Sequence, residues 1–130
     1  HLIDLPLLDY TTISFIYPIT IEGSVNSNET ETVTLYYSHD RKNWKYLTEI
    51  QTVNGHYSYT WYIIPRIYIQ NFTIVSYEFI LPEKLYIKAY LNGSERFSSA
   101  YSETVSFIYI PLWLIILIII FICSLFRRRK

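Results

Sequence analysis

The chain has 130 residues, with 11 Lys/Arg against 11 Asp/Glu, 51% hydrophobic residues, 14 Tyr, one Cys and no Met. That length holds one modest domain, and a single cysteine excludes an intrachain disulfide. The zero net charge hides two unlike parts: four basic residues close the chain, so residues 1–107 hold 7 Lys/Arg against 11 Asp/Glu and offer no basic stripe for nucleic acid.

The chain opens at His1 with neither an initiator Met nor a basic segment before an apolar run, so His1 is expected to follow a cleaved signal peptide. Residues 1–10 read as an extended apolar arm. Such an arm can add a strand to a neighbour's sheet or pack on its own domain, and the second is favoured.

From residue 11 to 106 the pattern is β. TISFIY (12–17), ITIEGSV (19–25), TVTLYYS (32–38), WKYLTEIQ (44–51), HYSYTWYI (56–63), LYIKAYL (85–91) and SETVSF (102–107) alternate apolar with polar residues. HDRKN (39–43), VNG (53–55) and LNGS (91–94) supply turns between them. Seven strands in ~100 residues is the count of an immunoglobulin-like β-sandwich. The expected fold class is therefore all-β, followed by one C-terminal transmembrane α-helix.

The run VTLYYSHDRKNWKYLTEIQTVNGHYSYTW, followed by KLYIKAYLNGSERFSSAYSE, resembles the Ig-like repeats of bacterial and archaeal cell-surface proteins. The resemblance is carried by Tyr37-Ser38, Asp40, Trp44, Gly55, Tyr57, Tyr59, Trp61, Tyr86, Ala89, Asn92 and Gly93, over roughly residues 32–104. Arg41 departs from it, standing where those repeats usually place Gly after the turn Asp. The resemblance implies an extracellular structural or adhesive role and no catalytic residues. Few charges, abundant Tyr and Ile, and sequons without disulfides also suit an archaeal surface protein.

A second departure is IIPRIYIQNFTIVSYEFILP (63–82), far longer than the link those repeats use. It reads either as an extra strand or hairpin on the sandwich edge or as a docking surface for a partner chain, carried by Ile67, Tyr68, Ile69, Phe72, Ile74, Tyr77 and Phe79. Glycosylation acceptors stand at Asn28, Asn71 and Asn92, each followed by x-Ser/Thr. A glycan on Asn71 would keep the tip of the insert in solvent.

The search for chemistry returns little. There is no phosphate loop, HExxH or GxSxG motif, and Cys123 lies in the apolar C-terminal run. The remote exception is copper held by the N-terminal His1 with one further imidazole. His39 and His56 stand in turns at opposite ends of strand 44–52, where ~9 residues at ~3.3 Å put them ~30 Å apart, so His1 could meet only one of them. No catalytic, cofactor or metal residues are assigned.

Residues 107–126 contain no charged group and read as a membrane span, just long enough for a ~30 Å hydrocarbon core. Tyr109 and Trp113 mark its outer interface, while Arg127, Arg128, Arg129 and Lys130 form a basic cytoplasmic tail. The span holds no ionisable side chain for an ion path and no Gly-x-x-x-Gly face. With no stalk between sandwich and bilayer, the expected function is a non-enzymatic accessory or structural subunit of a membrane or cell-envelope complex, domain outside. The alternative is a free-standing adhesion or surface-layer support protein. Expected partners are the lipid bilayer, other envelope proteins and N-linked glycans.

Overall fold

A computed structural model describes residues 8–14, 18–91 and 100–129, in which ten strands precede one helix. They are β1 (Leu8–Ser14), β2 (Ile19–Val25), β3 (Thr32–Ser38), β4 (Trp44–Gln51), β5 (His56–Trp61), β6 (Arg66–Gln70), β7 (Thr73–Glu78), β8 (Glu83–Leu91), β9 (Ala100–Tyr101), β10 (Val105–Tyr109) and α1 (Leu112–Arg128). Expectations for His1, residues 2–7 of the arm, Asn92 and Lys130 lie outside the described residues. The chain forms two compact units, His1–Tyr62 with Lys84–Phe107 and Ile63–Glu83 with Ile108–Lys130.

The first unit holds two sheets. One has the order β1-β2-β5; the other runs β10-β8-β3-β4, with β9 added beside β8. Period-2 alternation decides what each buries: Ile19, Ile21, Tyr57 and Trp61 from the first sheet, Val33, Leu35, Leu85, Ile87, Ala89, Leu91 and Phe107 from the second. The faces meet directly, with the rings of Tyr37 on β3 and Trp61 on β5 centred 5.2 Å apart. Each large apolar side chain so buried stabilises the fold by about 1.5–3 kcal/mol before chain entropy is charged against it.

Register explains a glycine. Gly23 stands between Thr11 on β1 and Tyr57 on β5. The Tyr57 hydroxyl reaches Thr11 Oγ1 at 2.7 Å, linking the two outer strands past a position that has no side chain. Burial pushes the Tyr57 phenol above its ordinary value, and the hydrogen bond to Thr11 opposes part of that rise.

The turns follow their residues. Asn54 (φ 53) and Gly55 (φ 80) form a two-residue loop closed by Val53 N–H to His56 C=O at 2.7 Å and the reverse bond at 3.1 Å. Two positive φ angles in such a loop are the type I′ geometry that Asn-Gly favours. Between β3 and β4 the Asp40 carboxylate accepts the N–H groups of Lys42 (2.8 Å) and Asn43 (2.9 Å) and the Ser38 hydroxyl (3.0 Å). These donors, led by the Asn43 and Lys42 amides, hold its carboxyl well below the usual carboxylate range. Arg41 sits at φ 68, the left-handed region where Gly is favoured. A bulky side chain thus occupies a conformation suited to glycine.

In the second unit β6 and β7 form a separate two-stranded antiparallel sheet, so the long insert is a hairpin. Here α1 begins at Leu112, later than the expected 107. Pro111 caps it at φ −60, ψ 145, and Phe107–Tyr109 belong to β10. The residue before a proline is driven out of the α region, which prevents the helix from starting earlier. With 17 residues α1 is about 25 Å long, and no helix among the described residues is long and apolar enough to cross a membrane.

Candidate functional site

The expected interface residues belong to the second unit. In the β6–β7 hairpin, Ile67 pairs with Tyr77 and Ile69 with Ile74, so these four share one face. All four are exposed. The opposite face carries Arg66 across from Glu78, Tyr68 across from Ser76, and Gln70 across from Thr73. A one-residue irregularity between Tyr68 and Ile69 leaves exposed Val75 without a cross-strand partner in the register. The hairpin is therefore amphipathic, although a two-stranded sheet in water gains little from an uncovered apolar face.

Its tip is strained. Asn71 (φ 51) and Phe72 (φ 61) both occupy the left-handed region, and Phe72 is 105% exposed. Asn tolerates that conformation; for Phe it costs about 1–2 kcal/mol. The side chain recovers nothing by burial.

At the base of the hairpin the chain turns sharply at Phe79, whose φ is 63. Phe79 is only 3% exposed. It was expected at the partner surface, and its burial removes it from that set. The Tyr109 hydroxyl donates to the Phe79 carbonyl at 2.9 Å, and the two rings meet edge to face at 5.9 Å. Tyr109 is 1% exposed, which corrects its expected place in a lipid headgroup layer: its ring packs within the protein. Trp113, in the first turn of α1, keeps an exposed ring, and its indole N–H donates to the Ile80 carbonyl at 2.9 Å. Two aromatic donors thus fix the segment after β7 to the start of the helix. The sequence marked both residues as interfacial aromatics; nothing in it revealed the carbonyls 30 and 33 residues upstream that receive their hydrogen bonds.

Beyond Trp113 the helix is apolar on every side. No residue of α1 is buried, and Ile116–Ile122, Leu125 and Phe126 are all exposed. Its last turn carries Arg127 and Arg128, favourable charges at a helix C-terminus, and Arg129 follows as the cap. Exposing such a helix to water is costly, at roughly 25 cal/mol per Å² of apolar surface.

Among the acceptor asparagines, Asn28 and Asn71 are exposed. His39 lies beside the Tyr37 ring, at 5.8 Å, and His56 is exposed at the start of β5. No group of three His, Cys, Asp or Glu residues that could hold a metal ion occurs among the described residues. No family model, no curated protein and no solved structure matches the chain.

Proposed function

We propose that this is a non-enzymatic, membrane-anchored protein whose outward-facing Ig-like sandwich serves as an accessory subunit of a membrane or cell-envelope complex. The observation that carries the reading is α1: an all-round apolar helix, with none of its residues buried, ending in Arg127 and Arg128. Such a surface needs an apolar surrounding. At about 25 Å the helix is shorter than a ~30 Å hydrocarbon core, and a short helix is accommodated by local thinning, by flanking arginines that reach to the interface, or by association with other helices. The last of these favours a subunit over a free-standing chain.

The sheet order supports the Ig-like part. β1-β2-β5 against β10-β8-β3-β4 corresponds to strands A-B-E and G-F-C-C′ of an immunoglobulin-type sandwich. The hairpin supports the subunit part. Ile67, Ile69, Ile74, Tyr77 and the strained Phe72 present an apolar face and tip that a neighbouring chain would cover. Tyr68 lies on the opposite face, across from Ser76 and away from that surface.

Native mass spectrometry of the complex, extracted from its own membranes in mild detergent, tests this reading. Membrane partners at fixed stoichiometry are expected. A lone chain carrying glycans would overturn the subunit role and leave a free-standing surface protein.

A further inference from the structure

The outward face of the larger sheet concentrates aromatic rings and cations. On β8, Leu85, Ile87, Ala89 and Leu91 point into the core, so Tyr86, Lys88 and Tyr90 face outward, each partly buried by its neighbours. Lys88 Nζ lies 4.3 Å from the ring centre of Trp44 and 4.6 Å from that of Tyr101. Tyr101 in turn meets Tyr90, with ring centres 4.6 Å apart, and is itself 60% exposed. At the other end of the row, Arg41 and Lys84 approach the Tyr86 ring at 5.6 and 5.7 Å.

The charge is segregated to this side. Arg41 and Lys42 of the β3–β4 turn and Lys84 and Lys88 of β8 stand on this side, with the carboxylate of Glu49 on β4 beside them, whereas Lys45 pairs with core-facing Tyr37 and β1, β2 and β5 contain no Lys or Arg. Asp40, the acid nearest Arg41 in the chain, is engaged by the amides of its own turn. An acidic domain therefore carries one locally basic, aromatic face.

We propose that this face binds an acidic polysaccharide. The apolar C–H faces of pyranose rings lie flat against aromatic side chains, and carboxylates or sulfates spaced along the polymer pair with ammonium and guanidinium groups. Tyr86 and Tyr90 are about 13 Å apart along β8, room for more than one sugar ring, with Lys88 between them. The rings also hold the cations in place, which lowers the entropy lost when an anion arrives. A single-stranded nucleic acid uses similar stacking, and oligo-dT therefore stands among the controls.

Isothermal titration calorimetry on the full chain in detergent tests the proposal, with oligogalacturonate as probe and a neutral cello-oligosaccharide and oligo-dT as controls. Oligogalacturonate is expected to bind in a salt-sensitive way. Lys88→Ala and Tyr101→Ala should each weaken binding about tenfold. Lys88→Arg should retain it, and Glu22→Gln on the other sheet should leave it unchanged, with far-UV circular dichroism confirming that every variant is folded. Absence of binding to folded protein, equal binding of either control, or undiminished binding by Lys88→Ala would overturn it.

Discussion

The hydroxyl of Tyr109, completely enclosed at the end of β10, donates at 2.9 Å to the carbonyl of Phe79, a residue held at φ 63. One hydrogen bond thus joins the base of an exposed hairpin to the residue that leads into α1. Its removal should loosen the hairpin before it affects the sandwich. Tyr109→Phe is expected to cost about 1 kcal/mol. Amide hydrogen exchange should accelerate across residues 66–78 while β3 and β8 keep their protection. Uniform acceleration in both units would contradict this local role.

Phe72 is both strained and exposed. Phe72→Gly relieves a left-handed residue and should stabilise the hairpin by about 1 kcal/mol, read as slower exchange of its amides. The same change deletes the exposed ring and should reduce recovery of partner subunits in the native complex. A variant that is both steadier and fully assembled would show that Phe72 plays no part in docking.

Gly55 has no such freedom. Its φ is +80, and a Cβ there would stand 2.9 Å from the Ser27 carbonyl oxygen and 3.0 Å from that of Val25. Both are backbone atoms, and Val25 also donates its N–H to the Gly55 carbonyl at 2.7 Å. Gly55→Ala should destabilise the sandwich by about 2–4 kcal/mol, measured by thermal or urea unfolding.

Two groups give the stability a pH dependence of opposite sign. The folded chain holds the Tyr57 proton to higher pH than the unfolded chain, whose phenol titrates near 10.0. The contribution is therefore complete below about pH 10 and is lost as pH rises through the folded value. Asp40 is lowered from 3.8, so its contribution is complete above that value and is lost as pH falls through the folded one. Unfolding midpoints should fall at both extremes. Tyr57→Phe should flatten the alkaline limb only, and Asp40→Asn the acid limb only.

The strands of the sandwich were legible because each buries one face and wets the other. Ile19, Ile21 and Val25 alternate with Thr20 and Glu22, so periodicity alone located β2. Asn54-Gly55 announced its own turn. The segment 107–110 was not legible: Phe107 and Tyr109 are buried, but Ile108 and Ile110 are exposed and equally apolar. An apolar strand running into an apolar helix has no break in hydropathy, and only Pro111 marked the boundary. Phe79 misled for a related reason, since composition does not reveal that a left-handed turn folds its ring inward. The basic face escaped notice because Trp44, Lys88 and Tyr101 are far apart in sequence, and antiparallel register brings them together.

Whether α1 sits in lipid can be read from its depth. With Cys123 replaced by Ser, nitroxides placed singly along 112–126 in reconstituted bilayers report their exposure to oxygen and to a water-soluble nickel complex. A membrane-seated helix requires the ratio of oxygen to nickel exposure to peak near Ile118 and to fall toward both Trp113 and Arg127. A flat profile, with the nickel complex reaching Ile118 as readily as a label on the hairpin at Ile67, would contradict the membrane anchor and the subunit role that rests on it.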